Sequence, residues 1–162
     1  MILGYKKFLI ICLDLSLYEN LVKYNFAEYA ALVPSTWLPF ANISTHEAAW
    51  ETKDYYPITR SKIFVANKLV QHGFTILFTD VDVAWLSPNI LNYIDFVAPD
   101  KDFVYSIDNA WDVNTGFYMV RSNEGGKKIF KAIDERLKDD LDHDQYVINR
   151  VFNSTPELLN KF

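Results

Sequence analysis

Asp80 and Asp82 stand two positions apart, just after residues 74–78 (Phe-Thr-Ile-Leu-Phe), the most strand-like segment of the chain. On an extended backbone, residues two apart point to the same side, so both carboxylates would face one site. Two close carboxylates repel, and one takes up a proton unless a cation neutralises them. Oxygen-only ligands select a hard cation, Mg²⁺ or Mn²⁺, which keeps coordination positions open for phosphate oxygens. In open α/β sheets, ligands bind outside the carboxyl ends of the strands, where this pair would lie. The alternative is that the two aspartates begin a solvated turn, and the spacing alone does not separate the readings.

The elements around the pair must hold it in place. Residues 8–13 read as a fully buried strand. Ser16 and Glu19 follow with capping-box spacing and predict a short helix to about Tyr24. Residues 29–33 read as a second strand, and residues 34–57, with three prolines, as an irregular loop. Thr59 can cap a helix over 60–72 with Ile63, Ala66, Leu69 and Val70 on one face, and Gly73 occupies the position just past its end. After residues 74–78, strands are predicted over 103–107 and 115–120. Ser122 or Asn123 can start a helix carrying Ile129, Phe130, Ile133, Leu137 and Leu141, and residues 144–152 form a last helix. Strands alternating with helices predict an α/β fold with a mostly parallel sheet covered on both faces.

Composition sets the outer limits. The chain has 162 residues, half of them apolar, with 5 Gly and 6 Pro, which excludes collagen-like, low-complexity and disordered classes. That length predicts one domain. The longest apolar run, residues 8–13, is too short to span a membrane. The net charge of −5 argues against a nucleic-acid or anionic-membrane surface. The single cysteine, Cys12, lies inside an apolar run and reads as a core residue. With 12 Phe, 10 Tyr and 4 Trp, some aromatic side chains are available to line a cleft. Asn42 and Asn153 head glycosylation sequons at the frequency chance gives, so they assign no compartment.

The stretch Arg60-Ser61-Lys62, followed by Leu69-Val70-Gln71-His72-Gly73 and running through Thr79-Asp80-Val81-Asp82-Val83-Ala84-Trp85-Leu86-Ser87-Pro88, resembles the core motif of the nucleotide-diphospho-sugar transferase family. These are metal-dependent glycosyltransferases of the GT-A fold. Asn114-Thr115-Gly116-Phe117-Tyr118-Met119-Val120-Arg121 and His143-Asp144-Gln145-Tyr146-Val147-Ile148-Asn149 resemble two later family segments in the same order. The resemblance covers about residues 7–152.

It implies transfer of a sugar from a nucleotide diphosphate sugar, UDP-linked, to a hydroxyl on a glycan, protein or lipid, with Mn²⁺ or Mg²⁺. By position, Asp82 would chelate the metal, and Asp80 would contact it or the ribose. Arg60 or Lys62 would reach a phosphate or the sugar. Asp108 and Asn109 would bind donor hydroxyls. Asn114 and Gly116 would border the bound donor, where a side chain at Gly116 could obstruct the ligand or neighbouring backbone, with a simple bulge at Gly116 as the plain alternative. Asp144 and Gln145 would face the donor sugar or acceptor, and Asp144 also suits an N-cap. The family analogy further implies the secretory pathway.

The departures set expectations too. The family's earlier strand and loop for the base are not convincingly present, and its C-terminal metal-site histidine has no counterpart among His46, His72 and His143. The domain is therefore expected to be incomplete at both ends. A truncated, non-catalytic relative that binds nucleotide sugar or a partner is the alternative. A further rival is a haloacid-dehalogenase-like phosphatase, in which Asp80 would attack phosphate and Asp82 handle the proton. It would use Ser106, the pair Asp139-Asp140 and one of Lys127, Lys128 or Lys131. Against it, Val83 replaces the usual glycine, the acidic pair follows a helical pattern, and roughly 75 residues precede the motif.

Overall fold

The computed structural model describes residues 7–40, 43, 48–49, 52–108 and 112–155. The chain runs β1 (Ile10–Cys12), α1 (Leu15–Lys23), β2 (Ala30–Leu32), α2 (Tyr55–Gln71), β3 (Ile76–Thr79), α3 (Ile90–Val97), β4 (Phe103–Asp108), β5 (Asp112–Val120), α4 (Glu124–Asp139) and α5 (Asp144–Ser154).

The architecture is mixed α/β, and the expectation of a mostly parallel sheet is corrected. β1 and β2 pair in parallel, whereas β3, β5 and β4 lie side by side in that order with both pairings antiparallel. For β4 and β5 the cause is the short stretch between them, since a parallel crossover needs a dozen residues or more. β3 is consequently an edge strand among the described residues, not a central one.

Local departures have local causes. β1 is shorter than expected and only Cys12 in it is buried, while Phe8 and Leu9 remain exposed. Burial raises the Cys12 thiol above its usual range, as suits a core residue and not a nucleophile. The helix after it is capped by Asp14, whose carboxylate accepts from the Leu17 amide at 2.8 Å, so the Ser16 capping box is not used. α2 starts before Thr59, at Tyr55. Pro57 falls in its first turn, where a missing N–H removes no helix bond. The C-terminus of α2 follows expectation: Gly73 has φ +95°, its amide bonds Val70 O at 3.0 Å, and the Phe74 amide bonds Leu69 O at 3.1 Å. This is the Schellman pattern, which glycine enters without a Cβ penalty. α3 is an addition to the expected elements, and Ile94 is its buried residue. Asn123 caps α4 through the Gly126 amide at 2.9 Å, and Leu141 lies past the helix end, exposed. Asp144 is the first residue of α5, with His143 at the cap position.

The core lies where α2, α4 and α5 meet the β3-β5-β4 sheet, around Ile63, Phe64, Val70, Phe103, Tyr118, Phe130, Ile133, Leu137 and Ile148. Tyr118 stacks on Phe78 at 5.0 Å and meets Phe103 edge-on at 5.6 Å. Its hydroxyl is fully buried with no hydrogen-bond partner among the described residues. Burial, reinforced by Asp144 and Asp80, holds it well above the usual tyrosine range, so it stays protonated. An unpaired buried hydroxyl costs stability. Tyr118→Phe is therefore expected to leave urea-unfolding stability unchanged or to raise it by about 1 kcal/mol. A loss of similar size would show that the hydroxyl has a partner.

Candidate active site

Four elements deliver side chains to one cleft of about 390 Å³. α2 contributes Tyr55 and Lys62, and the end of β3 contributes Asp80. The β4–β5 hairpin contributes Asp108, Asp112, Asn114, Thr115 and Gly116. The start of α5 contributes His143, Asp144, Gln145 and Tyr146. Asp80, Asp108, Asn114, Gly116, Asp144, Gln145 and Lys62 thus meet as the sequence motifs suggested.

Lys62 is the hub. Its ammonium lies 3.2 and 3.3 Å from the two Asp80 oxygens and 3.5 Å from Asp144 Oδ2. The side chains are 19% (Lys62), 34% (Asp80) and 2% (Asp144) exposed. Burial raises the Asp80 carboxyl above the usual carboxylate range, Lys62 pulls it back, and Asp144 and Asp82 push it up again. The Asp80 amide donates to Gly116 O at 2.8 Å, which ties the end of β3 to β5.

The β4–β5 register breaks between Tyr105 and Ser106, opposite residues 115–117. Gly116 sits in this bulge, its amide bonded to Asn114 Oδ1 at 2.7 Å. A Cβ there would lie 3.0 Å from Asn114 Oδ1 and 3.0 Å from Asp80 Oδ2. The bulge and the open approach to Asp80 are therefore the same feature. On the opposite wall, Gln145 donates to Asp108 Oδ2 at 3.1 Å. Asn149 accepts from the Val113 amide at 3.0 Å and donates to Gln145 O at 2.8 Å, fixing α5 against the hairpin.

Other candidates are placed differently. The backbone does not stay extended after Asp80: Val81 and Asp82 form a turn closed by the Val83 amide on Asp80 O at 3.4 Å. Asp82 is exposed on that turn and does not line the cleft, so the extended-strand argument for the pair fails. Arg60 is buried between α2 and α4, where its Nη2 donates to Leu137 O. Two residues apart on a helix, Arg60 and Lys62 occupy different faces, and Lys62 has the one turned to the cleft. Asn109 lies outside the described residues. Asp139 ends α4 and Asp140 follows it, so the acidic pair of the phosphatase reading is at a helix end, not on a strand.

Tyr55, Asp112, Thr115, His143 and Tyr146 line the cleft without having been singled out. Thr115, His143 and Tyr146 lie inside the quoted motifs, where adjacency to Gly116 and Asp144 was the available signal. Tyr55 was hidden in the expected loop.

Among the described residues, no three His, Cys, Asp or Glu side chains group as a metal site. The donor chemistry nevertheless suits a hard cation. Four lining carboxylates (Asp80, Asp108, Asp112, Asp144) face one lining ammonium, Lys62, and every acidic donor is an oxygen. A diphosphate entering this excess of negative charge needs added positive charge.

A model of the family described as nucleotide-diphospho-sugar transferase matches residues 4–158. The chain is similar to the arabinosyltransferase XEG113 of Arabidopsis thaliana, 26% identical over 130 residues, 68% of this chain and 20% of that protein. It is also similar to the uncharacterized protein At1g28695 of Arabidopsis thaliana, 29% identical over 114 residues, 67% of this chain and 33% of that protein. The matches thus span between a fifth and a third of the length of these relatives. No solved structure matches the chain. No helix among the described residues is long and apolar enough to cross a membrane. The family match takes in every element that lines the cleft, and this chain belongs to the nucleotide-diphospho-sugar transferase family.

Proposed function

We propose that this domain, of GT-A type, transfers a sugar from a nucleotide diphosphate sugar, UDP-linked, to a hydroxyl acceptor, with Mn²⁺ or Mg²⁺. The observation that carries this reading is the meeting of Asp80, Lys62 and Asp144 beside the open Gly116 bulge, in a chain of this family. Asp80 would hold the metal from within the cleft, and Asp82, whose charge reaches Asp80 from the adjacent turn, would join it from the rim. When bound, the metal supplies positive charge at the leaving diphosphate. Lys62 adds a second positive charge within reach of a phosphate oxygen. Asp108 and Gln145, already bonded to each other, accept from and donate to sugar hydroxyls. Asp144, nearly enclosed, offers a fixed negative charge to the positive charge that builds on a departing sugar. The family analogy supports the secretory pathway as the location of such an enzyme. The name of the arabinosyltransferase relative puts UDP-arabinose on the donor panel.

Turnover tests the reaction class. With Mn²⁺ and a panel of UDP-sugars, the domain is expected to release UDP. Release of phosphate from a generic phosphomonoester, with no UDP from any donor, would overturn the reading.

Melting tests the metal site. Asp82 is exposed, so Asp82→Asn is expected to change the stability of the ligand-free domain by less than about 0.5 kcal/mol. The same change should remove the rise in Tm that Mn²⁺ plus UDP gives the wild type, since a ligand stabilises by binding the folded state. A rise that survives in Asp82→Asn would remove Asp82 from the metal site.

A further inference from the structure

The cleft is chemically two-sided, and the proposed donor chemistry uses the charged side. The other side is aromatic and comes from the beginnings of two helices. Tyr55 opens α2; His143 caps α5, and Tyr146 lies in its first turn. The rings run on from one another: Tyr55 meets Tyr56 at 6.5 Å, Tyr56 stacks on His143 at 6.4 Å, and His143 meets Tyr146 at 3.9 Å. His143 is buried and supports the row, whereas Tyr146 is 44% exposed. A tyrosine held by a buried neighbour at a helix start presents a large surface with few rotamers to freeze, which suits ligand contact.

The neighbours of this row define what it would take. Asp112, which the donor reading leaves unused, lines the same cleft as Tyr146, and Gln145, next to Tyr146 on α5, borders both this row and the donor-side Asp108 at 3.1 Å. Carboxylates and a primary amide are partners for hydroxyl groups. An aromatic face, negative at its centre, attracts C–H groups. A ring with hydroxyls on its edge and C–H groups on its face satisfies both sets of residues, and that description is a sugar. Four lining carboxylates disfavour an anionic or phosphorylated acceptor.

Resting on the donor reading above, we infer that Tyr55, His143 and Tyr146 form a platform for a neutral sugar ring of a carbohydrate acceptor, with Tyr146 as the stacking face. The acceptor is thereby one that presents a sugar ring, not an unglycosylated lipid or peptide.

Saturation-transfer NMR tests this directly. The probes are neutral disaccharides of glucose, galactose, xylose and arabinose, added to wild type, Tyr146→Ala and Tyr146→Phe. The wild type should transfer saturation to ring C–H protons of at least one disaccharide. Tyr146→Ala should bind that disaccharide about fivefold more weakly, as expected for loss of one aromatic contact. Tyr146→Phe, which keeps the ring, should stay within about twofold. No transfer from wild type to any disaccharide would overturn the inference, as would equal binding by Tyr146→Ala. UDP with Mn²⁺ is titrated into the same proteins as a second arm. A larger loss for UDP than for the disaccharide would assign Tyr146 to the nucleobase and overturn the acceptor platform. Failure of the wild type to bind UDP at all would count against the donor reading instead, so the two failures are separable.

Discussion

Lys62→Met is expected to destabilise the domain by about 2–3 kcal/mol near neutral pH, and by clearly less in mild acid. The ammonium stands between Asp80 and Asp144, and Asp144 is almost wholly enclosed. Removing one partner from a buried ionic group leaves charges that water cannot reach, which costs more than the intact arrangement contributes. Asp80 is one-third exposed, so the effect falls below that of a fully buried pair. The pH dependence follows from Asp80. Burial already raises its carboxyl, and Lys62 is the chief opposing influence. Without Lys62 the folded protein holds that proton still more tightly than the unfolded chain does. A group with a raised folded pKa stabilises the fold when protonated, and that contribution is lost as pH rises through the folded pKa. The deficit should therefore be largest at about pH 7.5 and shrink towards about pH 4.5, read from urea unfolding at both. Equal deficits at the two pH values would show that the variant loses only the cation–π contact of the Lys62 ammonium, which lies 5.8 Å from the Phe78 ring centre.

Gly126→Ala is expected to cost about 3 kcal/mol or more. Gly126 lies in the first turn of α4, and a Cβ built there would overlap the backbone carbonyl of Arg121. That carbonyl belongs to a fixed corner: the Arg121 amide bonds Asp102 O at 2.9 Å, and its guanidinium reaches Lys101 O at 2.9 Å and Asp95 at 2.8 Å. Backbone cannot rotate away as a side chain can, so α4 would have to shift from the sheet. Gly73→Ala is the informative comparison. Nothing lies within 4 Å of a Cβ there, and the cost comes from φ +95° alone, about 1 kcal/mol. Urea midpoints of the two variants rank overlap against conformational strain. A Gly126→Ala cost no greater than that of Gly73→Ala would contradict the close approach of α4 to Arg121.

Much of this organisation was legible in the sequence because it depends on local signals. The 3.6-residue spacing of Ile129, Phe130, Ile133 and Leu137 placed α4, and all four side chains are buried. Gly73 marked the end of α2 because a single residue type suits that backbone. Lys62, Asp80, Asp108, Gly116, Asp144 and Gln145 came together as the family motifs implied. What the sequence hid depends on distant partners. The antiparallel β4–β5 pair was foreshadowed by the short gap between its two runs, but the pairing of β3 with β5 is decided by which strands meet, and a hydrophobic run is silent on that. An extended backbone after β3 would face Asp82 to the same site as Asp80, whereas the chain turns at Val81. The aromatic row was illegible because Tyr55 and Tyr146 are 91 positions apart in sequence and meet one cleft only when α2 and α5 pack together.

The proposed function requires the Asp80 cleft to bind a nucleotide diphosphate together with a divalent cation. Calorimetric titration of UDP into the wild type and Asp80→Asn, each with and without Mn²⁺, tests it most directly. The wild type should bind UDP with Mn²⁺ and lose at least about tenfold in affinity without it, and Asp80→Asn should lose the Mn²⁺ dependence. UDP affinity that is indifferent to both Mn²⁺ and Asp80, or no UDP binding by the wild type under any of these conditions, would contradict the account.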